Sequence, residues 1–223
     1  MALAALLVAG CGGGDTKTSE IPEGGGAAST PATTTQAAKA PAGCTDVPKP
    51  APKGEGNEKK PKGDLAAGKR YRLTVATNCG SFTIGLDPKT APNAAASMVA
   101  LAKAGFFDDT VFHRIVPGFV IQGGDPTGSG EGGPGYKTVD KPPKDAKYTT
   151  GVVAMAKSGS EAPGTAGSQF FVVTGSDAGL PADYAVVGKI VSGLDVVKRI
   201  GQLGDQAEQP TFTVVIKSTK VSS

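Results

Sequence analysis

From Arg70 onward, apolar residues recur with a period of two in short runs closed by glycine-containing turns. This spacing constrains the fold more than any other feature of the 223-residue chain. In RYRLTVAT, Tyr71, Leu73 and Val75 alternate with polar residues, and SFTIGLD repeats the pattern with Phe82, Ile84 and Leu86. Such alternation gives a strand one buried face, and the Asn78-Cys79-Gly80 step between the two runs predicts a hairpin. Further strand-like runs follow at 111–116, 119–122, 148–156, 168–174, 185–191 and 211–219. Two stretches change period. In TAPNAAASMVALAKAG, Pro92 suits a first helical turn, Ala95, Met98, Val99 and Ala102 form one stripe, and Gly105 closes the end. In SGLDVVKRIG, Ser192 is the expected N-cap and Gly201 the expected C-cap. Eight strand-like runs with two helices predict a mainly β fold: a closed eight-stranded antiparallel β-barrel capped by two α-helices, in which closure removes exposed edges.

Composition sets the boundaries. Residues 11–68 are Gly, Pro, Ala, Thr and Lys with almost no large apolar side chain, and cannot bury enough surface to offset the entropy of ordering. They read as a flexible tether, and residues 69–223 as one compact domain. The net charge of +3 is small and the lysines are scattered through the tether, so no nucleic-acid footprint is expected.

The chain holds a single histidine, in VFHRIVPGFVIQGGDP at 111–126. Neighbouring strand residues point to opposite faces, so His113 and Arg114 cannot both enter one pocket without a distortion. His113 reads as a packed residue with a satisfied hydrogen bond, and Ser-His hydrolase or His-rich metal chemistry finds no support. Neither CxxC spacing nor a second histidine points to zinc. GSGEGG, residues 128–133, matches GxGxxG formally, but Pro134-Gly135 does not open a helix and Glu131 would repel phosphate. It reads as a loop needing unusual backbone angles.

FHRIVPGFVIQGGDPTGSG, GVVAMAKSG, AGSQFFVVTG and YAVVGKIVSGLDVVKRI, in this order and spacing, resemble the cyclophilin family of peptidyl-prolyl cis-trans isomerases over about Arg70 to Val221. The resemblance implies an eight-stranded barrel with two helices and an activity that rotates X-Pro bonds without cofactor or metal. It implies that Arg114 is the catalytic arginine, that Phe119 lines the proline pocket, and that Gln122 hydrogen-bonds the substrate backbone. Phe171 would form the pocket floor and Gln169 would border the neighbouring groove, as would the glycine-rich segment. Substrate pairing would run along Ala156 and Lys157. Four residues depart from the family pattern: Val120 stands for a methionine, Lys157 for an asparagine, and Gly179 and Tyr184 for a tryptophan and a histidine at the rim, with Leu180 retained. Catalysis is expected to persist, while cyclosporin, which uses that tryptophan, is expected to inhibit poorly.

MALAALLVAGC, residues 1–11, is too short to span a bilayer and resembles the lipobox of bacterial lipoproteins, in which the peptide is cut before a cysteine that carries the lipid. Residues 1–10 would then be a signal peptide and Cys11 the lipidation site. No Lys or Arg precedes the apolar run, a departure from the lipobox pattern that a start upstream of Met1 would explain. Lipidation leaves Cys44 and Cys79, which either pair in an oxidising compartment or remain unrelated thiols. The expected protein is a monomer, lipid-anchored on the extracytoplasmic face of a cell membrane. There it would isomerise proline-containing segments of exported proteins. The alternatives are a non-catalytic proline-peptide binding module or holdase chaperone, and a lipoprotein scaffold whose tether is the functional part.

Overall fold

The computed structural model describes residues 40–62 and 65–223. Cys11 and the apolar run before it lie outside the described residues. The hairpin of Arg72–Thr77 (β1) and Gly80–Leu86 (β2) forms where the alternation places it, and Pro92–Lys103 (α1) follows. Then come Thr110–Val111 (β3), Arg114–Val116 (β4), Val120–Gly123 (β5), Thr138–Val139 (β6), Val152–Met155 (β7), Thr165–Ala166 (β8) and Phe170–Val173 (β9). Val186–Ser192 (β10), Leu194–Ile200 (α2) and Val215–Ser222 (β11) complete the order. Nine strands form one antiparallel sheet in the order β3-β11-β1-β2-β10-β7-β9-β5-β4, and β6 pairs with β8 in a separate ribbon.

The expected closed eight-stranded barrel is therefore corrected. The run 111–116 does not form one strand: Val111 pairs with Val215 of β11, whereas Arg114 pairs with Gln122 of β5. Only Phe112 and His113 separate β3 from β4, so a single chain segment supplies both edges of the sheet. The sheet must curl until its edges lie within that short reach, and its ends meet through the covalent chain without a ladder between them.

The sheet buries both faces where the site lies. On β9, Phe170 and Val172 enter the main core while Phe171 and Val173 enter a second, smaller cluster. On β7, Val153 and Met155 enter the main core, and Val152 and Ala154 the second. This two-sided burial is why FFVV and VVAM read as continuous apolar runs. The main core also takes the predicted stripe of α1, with Ala95, Met98, Val99 and Ala102 all buried.

The helix ends are set from afar. Helix α1 has no side-chain cap of its own; the Asp140 carboxylate accepts from the Ala94 N–H at 2.6 Å and the Asn93 N–H at 3.3 Å. This places a negative charge at the positive end of the helix dipole. Ser192, the expected cap of α2, belongs instead to β10, and Gly193 is the N-cap, with φ +77°. A side chain at Gly193 would bring a Cβ within 2.5 Å of the Ser81 carbonyl oxygen, so glycine is required for both backbone angle and space.

The described part of the sequence-assigned tether has no regular secondary structure, yet residues 44–58 are fastened to the domain. Cys44 and Cys79 are joined in a disulfide. Beside it, the Thr45 N–H donates to the Asn78 carbonyl at 2.7 Å and Asn78 Nδ2 donates to the Thr45 carbonyl at 2.9 Å. Composition misses this ordering because the segment buries few large side chains and is held by backbone groups, which every sequence carries. Asn78 is buried and also bonds the Thr213 carbonyl and the Val215 N–H at 2.9 and 2.8 Å. Asn78→Ala is expected to lower unfolding free energy by about 3 kcal/mol through stranded buried partners. Urea titration with an unchanged slope and a lower midpoint is the expected result.

Candidate active site

Strand alternation and register bring the polar residues together. Arg114 on β4 lies opposite Gln122 on β5, and Gln122 lies opposite Phe171 on β9, which in turn pairs with Ala154 on β7. These side chains share one sheet face, that of the second core, while Ile115 and Ile121 between them enter the main core. His113 is thereby excluded from the row, because β4 begins only at Arg114.

A cavity of about 230 Å³ is lined by Arg114, Phe119, Val120, Gln122, Ala156, Lys157, Phe171, Leu180 and Tyr184. Phe171 is buried, and Tyr184 meets its ring edge-on at 5.5 Å between centroids. Behind both stands the buried Tyr148, whose hydroxyl donates to the Tyr184 carbonyl at 2.8 Å and accepts from the Tyr184 N–H at 3.0 Å. The floor and one wall are thus locked by packing and by a hydrogen-bonded tyrosine. Phe119 is brought over by the turn at Pro117-Gly118, where Gly118 has φ +73° and the Phe119 N–H donates to the Val116 carbonyl at 3.0 Å. The Arg114 guanidinium carbon lies 5.9 Å from the Phe119 ring centroid, within cation–π range. Lys157 stands across the mouth, its ammonium 5.4 Å from the Tyr184 ring centroid. Gly179 does not line the cavity; it has φ +61° and open space around it.

The polar side of the cavity is a donor–acceptor chain. Arg114 Nε donates to Glu208 Oε2 at 2.6 Å and Arg114 Nη1 to Gln122 Oε1 at 3.3 Å. Gln122 Nε2 donates to Gln169 Oε1 at 3.0 Å, and Gln169 Nε2 donates to the carbonyls of Gly130 and Gly132, both at 2.9 Å. Gln169 lies in an adjoining groove of about 350 Å³ that shares Gln122, Ala156 and Lys157 with the first cavity. A guanidinium has five N–H groups, so Arg114 keeps donors for a ligand after these two bonds. The Arg114 hydrogen bond holds the Glu208 carboxyl below its ordinary range, with burial opposing weakly.

Around His113 the chemistry is static. Burial lowers its pKa, opposed by the Asp125 charge and assisted by Arg114, so the ring is neutral at pH 7. The expectation of a satisfied hydrogen bond is corrected: both ring nitrogens are buried and neither has a partner among the described residues. Burial alone would raise the Asp125 pKa, but bonds from the Thr127 side chain and N–H and from the Gly130 N–H, with His113 nearby, leave it lowered. Asp125 thereby pins the glycine-rich loop, in which Gly128 and Gly130 have φ +69° and +92°. No group of three or more His, Cys, Asp or Glu able to hold a metal occurs among the described residues.

Sequence reasoning missed Glu208, Tyr148 and Asp125. Glu208 sits 94 residues from Arg114, in an irregular loop with φ +63°, and no local pattern marks it. Tyr148 reads as an ordinary strand residue until its partners are known.

The chain matches the family model of cyclophilin type peptidyl-prolyl cis-trans isomerase/CLD over residues 72–221. An Arabidopsis thaliana peptidyl-prolyl cis-trans isomerase is 37% identical over 154 residues, 67% of this chain and 92% of that protein. A Schizosaccharomyces pombe peptidyl-prolyl cis-trans isomerase is 40% identical over 143 residues, 62% of this chain and 90% of that one. A crystal structure of a Cryptosporidium parvum cyclophilin type peptidyl-prolyl cis-trans isomerase is similar at a TM-score of 0.64 and 32% identity, covering 70% of this chain and 99% of that chain. With the fold, the cavity and these likenesses in agreement, the chain belongs to the cyclophilin-type peptidyl-prolyl cis-trans isomerase family and is a peptidyl-prolyl cis-trans isomerase.

Proposed function

We propose that the cavity beside Arg114 holds the proline ring of a peptide and that Arg114 is the group that lowers the barrier to X-Pro rotation. The single observation that carries this reading is the placement of a guanidinium with spare donors on the rim of an apolar pocket floored by Phe171. Rotation breaks no bond but removes amide resonance, a barrier of about 18–20 kcal/mol. As the amide twists, the lone pair localises on the proline nitrogen, and a fixed N–H donor stabilises that state more than the planar one. Phe119, Val120, Leu180 and Tyr184 form the walls around the ring. Gln122 offers its amide to the substrate backbone, and the chain residues Ala156 and Lys157 lie past the end of β7, where an extended peptide can pair. A second crystal structure of the Cryptosporidium parvum protein was determined in the presence of the dipeptide Ala-Pro, a ligand of the same proline-containing chemistry.

The further proposal is that the protein acts on exported polypeptides from a lipid anchor at Cys11, on the extracytoplasmic face of a membrane. The lipobox-like Val8-Ala9-Gly10-Cys11 supports it, and the Cys44–Cys79 disulfide fits an oxidising compartment. Among the described residues no helix is long and apolar enough to cross a membrane.

Arg114→Ala is expected to lower kcat/KM for a short X-Pro peptide at least tenfold, about 1.4 kcal/mol, with a smaller change in peptide affinity. His113→Gln should keep most turnover. A protease-coupled assay reads both, and equal activity of Arg114→Ala and wild type would refute the mechanism.

Glu208→Gln keeps the shape but loses the charge that fixes Arg114, and is expected to lower kcat/KM about fivefold, roughly 1 kcal/mol. Because the folded Glu208 pKa is depressed, its hold on Arg114 is complete above the ordinary carboxylate range and is lost only as pH falls through the lowered value. Wild-type kcat/KM should therefore be flat from pH 6 to 8, and a step there would assign turnover to another group.

For the anchor, Cys11→Ser is expected to move the protein from the membrane to the soluble fraction of cells that export it. Intact mass of the wild-type protein checks the same point, since an unmodified Cys11 in an uncut chain would rule out lipidation.

A further inference from the structure

Residues 44–58 precede the family match, which begins at residue 72. They are fastened at several separate points. The disulfide to Cys79 holds one end. Midway, the Lys53 N–H donates to the Pro126 carbonyl at 2.9 Å, and the Lys53 ammonium reaches the carbonyls of Gly105, Phe106 and Asp108 beyond the end of α1. At the far end, the Gly56 N–H donates to the Gly133 carbonyl at 3.0 Å, the Glu58 N–H to the Pro134 carbonyl at 2.9 Å, and the Gly133 N–H to Glu55 Oε2 at 3.3 Å. The segment therefore grips the glycine-rich loop at both of its ends, Pro126 and Gly133-Pro134.

Between those grips the loop performs one task for the cavity. The carbonyls of Gly130 and Gly132 both accept from Gln169 Nε2. An amide group can sit either way round, and two acceptors at one end decide which. With its NH2 committed to the loop, Gln169 must present Oε1 to Gln122 Nε2, and Gln122 must present its own Oε1 to Arg114. The direction of the whole chain of donors is thus set from the glycine-rich loop.

We propose that residues 44–58 are a docked arm whose contacts through Lys53, Glu55, Gly56 and Glu58 position the glycine-rich loop, and through it Gln169 and Gln122. This rests on the reading of Gln122 and Gln169 as groove residues given above. Gly56 is the critical contact. A Cβ there would lie 2.6 Å from the Gly133 carbonyl oxygen, 2.8 Å from Phe106 Cε2 and 2.8 Å from Pro134 Cα, so no side chain fits while the arm is docked. Gly54, two residues away, has nothing within 4 Å of the same position. Neither glycine has a positive φ, so a substitution at either tests space alone.

The full chain carrying Gly56→Val is therefore compared with Gly54→Val and wild type. Two readouts are taken: hydrogen exchange at the Gly56 and Glu58 amides, which needs no substrate, and steady-state kinetics on a six-residue proline peptide. Gly56→Val is expected to lose amide protection and to raise KM roughly fivefold with kcat within about twofold, whereas Gly54→Val matches wild type in both. Protection lost with KM unchanged would overturn the positioning role. Protection retained in Gly56→Val, or equal effects of the two variants, would overturn the docked contact itself. Absence of turnover in wild type would refute the functional reading, while the exchange result would still report on docking.

Discussion

Everything about the site follows from one topological constraint: the segment Thr110–Val116 supplies both edges of the sheet. With only Phe112 and His113 between β3 and β4, the sheet has to curl, and the residue that resumes pairing is Arg114. Once Arg114 lies opposite Gln122 and Gln122 opposite Phe171, strand alternation decides which side chains share a face. A shift of one residue in β4 would put Ile115 on the cavity and Arg114 into the main core, where an unpaired guanidinium is prohibitively costly. Register and chemistry are therefore fixed by the same energetic demand.

The cavity also depends on the sheet having two apolar faces. Alternate residues of β7 and β9 belong to different cores, so Phe171 is supported from behind by Tyr148 and does not rest on solvent. A rigid floor suits a reaction in which no bond changes and the gain must come from holding a ring and aiming a donor. The neutral, half-buried His113 is consistent with that chemistry, which transfers no proton. Among the described residues neither of its ring nitrogens has a hydrogen-bond partner.

Much of this was legible in the sequence, for identifiable reasons. The β1–β2 hairpin showed in period-two alternation, and α1 in its stripe and its proline at the first turn. The cavity residues from Arg114 to Tyr184 could be nominated because four motifs stand in family-like order, and the structure gathers them around two adjoining hollows. What escaped was long-range and carried by backbone or by single charges. The break within 111–116 depends on which partner strand each half finds. Asp140 caps α1 from 47 residues away, and Glu208 holds Arg114 from 94 residues away. The ordering of residues 44–58 rests on N–H and carbonyl groups that no composition count can register.

As proposed, the cavity beside Arg114 speeds rotation of a bound X-Pro bond and does more than hold it. Magnetisation-exchange NMR on a short proline peptide, with the protein present at far below one equivalent, measures this directly. Exchange cross-peaks between cis and trans forms are expected within a fraction of a second, against uncatalysed exchange of tens of seconds or longer. Saturable binding of the peptide with no such cross-peaks would contradict it and identify a proline-peptide binding module instead.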